Sequence, residues 1–190
     1  MTRYAIVGSG NVGSALARLF ARAGIEVGIT NTRGPETLRP LTGPRVHAVS
    51  PAEALDSDVI FMAIPFPAVE QFGKSRPDWT GKIVVDTTNA HYSSPEVQVS
   101  PHYVAERLPG AAVVKAFNQL PANVLGAQLD PALGRRVVFI ATDHPEAGDR
   151  IAELAGDLGL APLQLGRLDE GGRLIEAPGP LVLRNLALLS

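Results

Sequence analysis

The chain contains no cysteine. Disulfides, cysteine nucleophiles and thiolate metal sites are therefore excluded. Histidine is scarce, and His47, His91, His102 and His144 show no metal-ligand spacing, so no metal site is expected. Basic residues do not dominate. The 17 Lys and Arg stand against 19 Asp and Glu, giving a formal net charge of -2. Without a basic tail or lysine-rich run, the electrostatic footprint of a nucleic-acid binder is missing. No apolar stretch reaches the length of a membrane span, and the N-terminus reads as a strand rather than a signal peptide. The expectation is a cytoplasmic protein with no membrane partner. There is no internal repeat or low-complexity linker. What is present is 190 residues, 45% of them hydrophobic, enough for one domain with a sizeable core.

The most informative segment is Gly8-Ser9-Gly10-Asn11-Val12-Gly13, directly after the apolar run Tyr4-Ala5-Ile6-Val7. With 19 glycines in the chain, G-x-G-x-x-G alone is weak evidence. Its context makes it specific: a strand precedes it, and a helix from Ser14 to Ala23, with Ala15, Leu16, Leu19 and Phe20 inward, follows it. Gly8 permits the tight turn, Gly10 lets the backbone approach a pyrophosphate, and Gly13 lets helix and sheet pack closely. Ser9, Asn11 and Val12 offer backbone N–H groups to an anion at the helix N-terminus. The expected ligand is a dinucleotide.

The second strand, Ile25 to Ile29, indicates which one. An NAD site usually carries Asp or Glu at this strand end, on the ribose hydroxyls. Here it leads into Thr30-Asn31-Thr32-Arg33, with no carboxylate. Arg33 suits a 2'-phosphate, and the three preceding side chains supply hydrogen bonds. NADP is favoured over NAD, with Glu36 as a competing partner for Arg33.

Strand and helix signals keep alternating, as a doubly wound, mostly parallel α/β sheet of the Rossmann type requires. Strands are expected at Arg45 to Val49, Val59 to Ile64, Ile83 to Val85, Ala111 to Phe117, Arg136 to Ala141 and Ala161 to Leu165, and a last apolar helix near Pro180 to Leu188. The expected organisation is an NADP-binding domain over residues 1–165 and a C-terminal helical extension over 166–190. Ligands in such sheets lie beyond the carboxyl ends of the strands. That rule selects Ala63, Ile64 and Pro65 beside the nicotinamide, Phe66 against the ligand or capping the core, and Asn89 on the nicotinamide amide or a substrate. It also selects Asn118, just past its strand end. Asp86 is a candidate general base or a loop cap. Lys115 either reaches an edge or faces the site. No residue set for alcohol dehydrogenation stands out, and Tyr92 and Tyr103 are not placed for it. Hydride transfer between two ring systems asks mainly for juxtaposition.

With these motifs the chain resembles the family of F420-dependent NADP oxidoreductases. The resemblance runs through the glycine loop, Thr30-Asn31-Thr32-Arg33, Ile64-Pro65, Val114-Lys115-Ala116-Phe117-Asn118 with Leu120-Pro121, and Arg173-Leu174-Ile175-Glu176. It implies a homodimer that moves a hydride between NADP(H) and a deazaflavin (F420) or flavin-like acceptor. Phe66, Asn118, Leu120 and Pro121 would lie on the acceptor side. The archaeal form has histidine where Asn118 stands here. The same motifs also resemble the reductase domain of membrane ferric reductases. Two other readings stay open: a reductase of a small imine or carbonyl, with Asp86 or Lys115 as proton donor, and a non-catalytic NADP-binding protein.

Overall fold

The computed structural model describes residues 2–90 and 100–189. His91 and Tyr92 lie outside the described residues. The strands are β1 (Tyr4–Val7), β2 (Val27–Thr30), β3 (Val46–Ala48), β4 (Val59–Met62), β5 (Ile83–Asp86), β6 (Ala112–Ala116), β7 (Arg135–Thr142), β8 (Ala161–Gln164) and β9 (Ala187–Leu188). The α-helices are α1 (Asn11–Ala23), α2 (Pro51–Asp56), α3 (Val69–Gly73), α4 (Tyr103–Arg107), α5 (Ala122–Leu125), α6 (Pro145–Asp157) and α7 (Arg173–Ile175). Among the described residues the strand order is β3-β2-β1-β4-β5-β6-β7-β8, with β9 added to β7. Every pair from β3 through β6 is parallel, β7 runs antiparallel to β6, and β8 returns parallel to β7. This is the doubly wound α/β sheet expected, with extra C-terminal elements.

Alternation along the strands divides the core. Phe61, Val85 and Val114 pack on one face with Leu16 and Phe20 of α1 and Ile151 of α6. Ile60, Met62, Val84 and Val113 pack on the other with Phe72, Trp79, Val104 and Leu108. The central strands are apolar throughout because both faces are covered. The four inward residues expected on the first helix, Ala15, Leu16, Leu19 and Phe20, are all buried. That helix begins at Asn11, so it includes the second half of the glycine motif, and Gly24 ends it in the left-handed region.

The C-terminal segment corrects one expectation. Residues 180–188 do not form a helix. Leu183 has a φ of 63°, and β9 pairs Ala187 with Arg136 and Leu188 with Arg135. The cause is the length of β7. Its register with β6 covers only Ile140 to Thr142, leaving backbone groups near Arg135 open. Val137 N donates to Leu186 O at 2.9 Å, so the tail satisfies that edge. The demand of unpaired strand groups outweighs the helical spacing of the leucines. Earlier in this segment, Leu168 and Ile175 are buried, and Ile175 packs with Val137 and Phe139.

Candidate functional site

The glycine loop joins β1 to α1 at the carboxyl edge of the sheet. Gly8 has a φ of 108°, and a Cβ there would overlap the carbonyl oxygen of Ala63 at the end of β4. A Cβ on Gly13 would overlap the carbonyl oxygen of Gly8. Gly10 differs, since a Cβ there meets nothing within 4 Å. Two glycines thus serve packing, and the third keeps space open beside the helix N-terminus. The first bond of the α1 ladder runs from Ser14 N to Gly10 O at 2.9 Å. The amides of Asn11, Val12 and Gly13 precede it and have no partner within the helix. Open space over free N–H groups fits a pyrophosphate.

The end of β2 lies beside this loop. Asn31 Nδ2 donates to Ser9 Oγ at 2.6 Å and to Thr37 Oγ1 at 2.9 Å, and Arg33 Nη2 donates to Ser9 Oγ at 3.0 Å. Arg33 N donates to Asn31 Oδ1 at 2.9 Å. Arg33 is exposed, and among the described residues it forms no ion pair with Glu36, whose carboxylate folds over Gly34. Ser9, Asn31 and Arg33 are therefore brought together, with Thr32 exposed between the last two. Thr30 is not part of this surface. It is 3% exposed, and its carbonyl accepts from Gly8 N at 2.9 Å, so it anchors the loop.

From α1 an open cleft of about 800 Å³ runs across the strand ends. Asn11 and Val12, Ile64 to Phe66, Asn89, Asn118, Leu120 and Pro121 all line it, so residues from both the cofactor and acceptor groups expected from sequence share one cavity. Ala63 is not among the lining residues; its N–H is bonded to Val7 O at 2.9 Å. Phe66 lies over Tyr103, with ring centroids 4.9 Å apart, and Arg107 covers Tyr103 at 3.3 Å from its centroid. Sequence reading missed Ser14, Arg18, Ala122, Asn123 and Leu183, which also line the cleft. The 3- and 4-residue spacing of Asn11, Ser14 and Arg18 marks one polar face of α1 and was an available signal. Leu183 had none, since its place depends on its N–H bond to Gln119 O at 2.7 Å.

Beneath the cleft lies a buried ionic cluster. Lys115 Nζ is 2.9 Å from Asp86 Oδ2 and 2.5 Å from Glu176 Oε2, and donates to Thr88 O at 3.0 Å. Three ammonium protons meet three acceptors. Burial disfavours the charged lysine, but Asp86 and Glu176 outweigh it and raise its pKa above the ordinary value. Lys115 is thus a fixed cation, neither at an edge nor open to the cleft. Asp86 Oδ1 accepts from Thr88 N at 2.9 Å and Thr88 Oγ1 at 2.7 Å, the loop-capping arrangement. Glu176 Oε1 accepts from Ala90 N at 2.7 Å. Asn118 Nδ2 donates to Ile175 O at 2.7 Å, and its Oδ1 is buried with no partner.

A solved structure of the hypothetical protein SMa0349 from Sinorhizobium meliloti aligns with a TM-score of 0.93 at 42% identity, covering 99% of this chain and 96% of that one. The chain belongs to the same family as that protein. Residues 3–90 match the family described as NADP oxidoreductase, coenzyme F420-dependent. A structure from Arthrobacter sp. FB24, provisionally named an F420-dependent NADP-reductase, aligns with a TM-score of 0.69 at 24% identity over 88% of this chain and 86% of that one. The reductive aminase of Aspergillus terreus, solved with NADPH and ethyl levulinate, shares the fold with a TM-score of 0.64 at 18% identity, over 89% of this chain and 56% of that one. Among curated relatives, rat metalloreductase STEAP3 is 31% identical over 178 residues, which is 92% of this chain and 36% of that protein. The chain thus spans about a third of the length of the curated relatives it matches. Glycine loop, fold and family match make it an NADP-binding, oxidoreductase-type enzyme. No helix among the described residues is long and apolar enough to cross a membrane, and those residues contain no acidic and histidine cluster fit for a metal ion.

Proposed function

We propose that the cleft binds NADP(H) and brings it against a ring acceptor, a deazaflavin such as F420 or a flavin. Gly8 to Gly13 hold the pyrophosphate. Ser9, Asn31, Thr32 and Arg33 hold the 2'-phosphate, with Thr30 acting only as their anchor. Ala63, Ile64, Pro65 and Asn89 border the nicotinamide, and Phe66, Asn118, Leu120 and Pro121 border the acceptor. When bound, the nicotinamide supplies or receives the hydride. The protein's part is to orient both rings and exclude water.

The observation that carries this reading is the absence of a free proton donor along the described cleft. Arg18 is the one charged side chain among the described lining residues, while Asp86 and Lys115 are fully bonded below. A neutral carbonyl would need a proton delivered from the protein. A ring acceptor of the flavin type takes its hydride without one at that moment, and so does an imine already protonated by water. The second reading, reduction of a small imine, is therefore retained, and the fold shared with a reductive aminase solved with NADPH and an imine reductase solved with NADPH4 and dibenz[c,e]azepine, both from Aspergillus terreus, supports it. A homodimer, as the resemblance implies, completes the proposal.

The test is NADPH oxidation by purified protein against a panel of F420, FMN, FAD with ferric citrate, and cyclic imines. Turnover with a flavin or deazaflavin is expected. Turnover with imines alone establishes the second reading, and turnover with neither sinks both. Light scattering across a dilution series tests the dimer.

A further inference from the structure

We propose that Glu176 sets the oxidation-state preference of the bound nicotinamide by placing a net negative charge beneath that end of the cleft. The inference rests on the NADP(H) reading above. Asp86 and Glu176 are two carboxylates held by one ammonium, Lys115, so one negative charge is left over. Asp86 and Lys115 have side chains only 4% and 6% exposed, so solvent screens them little. Glu176 is 29% exposed and reaches the cluster from the C-terminal segment. The cluster lies one residue below the cleft surface. Thr88 lines the cleft and bonds to Asp86 and Lys115, and Asn89, the next lining residue, accepts from Ala177 N at 3.2 Å. The oxidised nicotinamide ring is a cation, and the reduced ring is neutral. A fixed surplus negative charge favours the cation. Arg18 acts equally on parent and variant, so a comparison between them isolates Glu176.

The test is calorimetric binding of NADP+ and NADPH to the parent, Glu176→Gln and Glu176→Asp. In Glu176→Gln the ratio of the NADP+ Kd to the NADPH Kd should rise roughly three- to tenfold, the effect of one partly screened unit charge. Glu176→Asp keeps the charge and should keep the parent ratio. A merely structural Glu176 would weaken both nucleotides alike, so a ratio that rises less than threefold overturns the proposal. If Glu176→Gln does not fold, Glu176→Ser, which also removes the charge and leaves room for water beside Lys115, takes its place: the ratio should rise by the same factor, and an unmoved ratio overturns the inference. Failure of both nucleotides to bind the parent overturns the NADP(H) reading as well, whereas binding with an unmoved ratio overturns only the role of Glu176.

Discussion

Asn89 and Asn118 lock each other across the strand ends: Asn89 Nδ2 donates to Asn118 O at 2.8 Å, and Asn118 Nδ2 donates to Asn89 Oδ1 at 3.1 Å. The second proton of Asn118 Nδ2 goes to Ile175 O, which ties the pair to the C-terminal segment. This also fixes the amide orientation, because a flipped Asn118 would set its oxygen against two acceptors. Asn118→Leu should leave Ile175 O unpartnered and cost about 1–3 kcal/mol. Urea denaturation measures it; a variant as stable as the parent contradicts the clasp.

The glycine loop separates packing from binding. Gly8→Ala and Gly13→Ala place a methyl group on a backbone carbonyl oxygen and should destabilise by about 3 kcal/mol or more. Gly10→Ala meets no protein atom, so its melting temperature should match the parent while NADPH affinity falls at least tenfold. A stable Gly10→Ala protein with parental affinity would show that the pyrophosphate lies elsewhere.

Arg33 is exposed, and its guanidinium leans on Ser9 Oγ. Arg33→Ala should weaken NADPH by about 1.5–3 kcal/mol, the range of a hydrogen bond to a charged group, and leave NADH nearly unchanged. Equal losses for both nucleotides would remove Arg33 from the 2'-phosphate site.

Phe66 belongs to the acceptor side. Phe66→Ala should raise the KM for the acceptor severalfold and leave the NADPH Kd within twofold. Parallel loss of both would mean that Phe66 acts through the cofactor or the local fold.

Lys115 gives a prediction with a definite sign. Its folded-state pKa is raised, so its stabilising contribution is complete below the unfolded lysine value of about 10.4 and is lost as pH rises through the higher folded value. No lysine titration should appear in NADPH binding between about pH 6 and 9. Lys115→Met leaves the buried Asp86 and the partly exposed Glu176 without their cation and should cost about 3–5 kcal/mol. A pH-dependent step in that range, abolished in the methionine variant, would instead mark Lys115 as a proton-transfer group.

Much of the cleft was legible in the chain because its signals are local. The strand, glycine loop and helix of residues 4–23 lie within one stretch, and Arg33 follows at a fixed distance along the next strand. Ile64 to Phe66 and Asn118 were found by their place just after apolar runs. Glu176 entered only as the last residue of the Arg173-Leu174-Ile175-Glu176 resemblance, with no role of its own, because its partners Lys115 and Ala90 lie 61 and 86 residues earlier in the chain. Leu183 was placed on a helix that does not form, since nothing near it in sequence reveals the open edge of β7.

The sequence by itself determined the parallel sheet, the dinucleotide loop and the lack of a carboxylate at the end of β2. Periodicity, glycine sterics and side-chain charge act over a few neighbouring residues and can be read in order. Tertiary structure alone decided that Lys115 is a sealed cation, that residues 175–177 clasp Asn89 and Asn118, and that the tail extends β7. Those outcomes depend on which buried charges and open backbone groups meet across long separations, where satisfying a desolvated group outweighs any local preference.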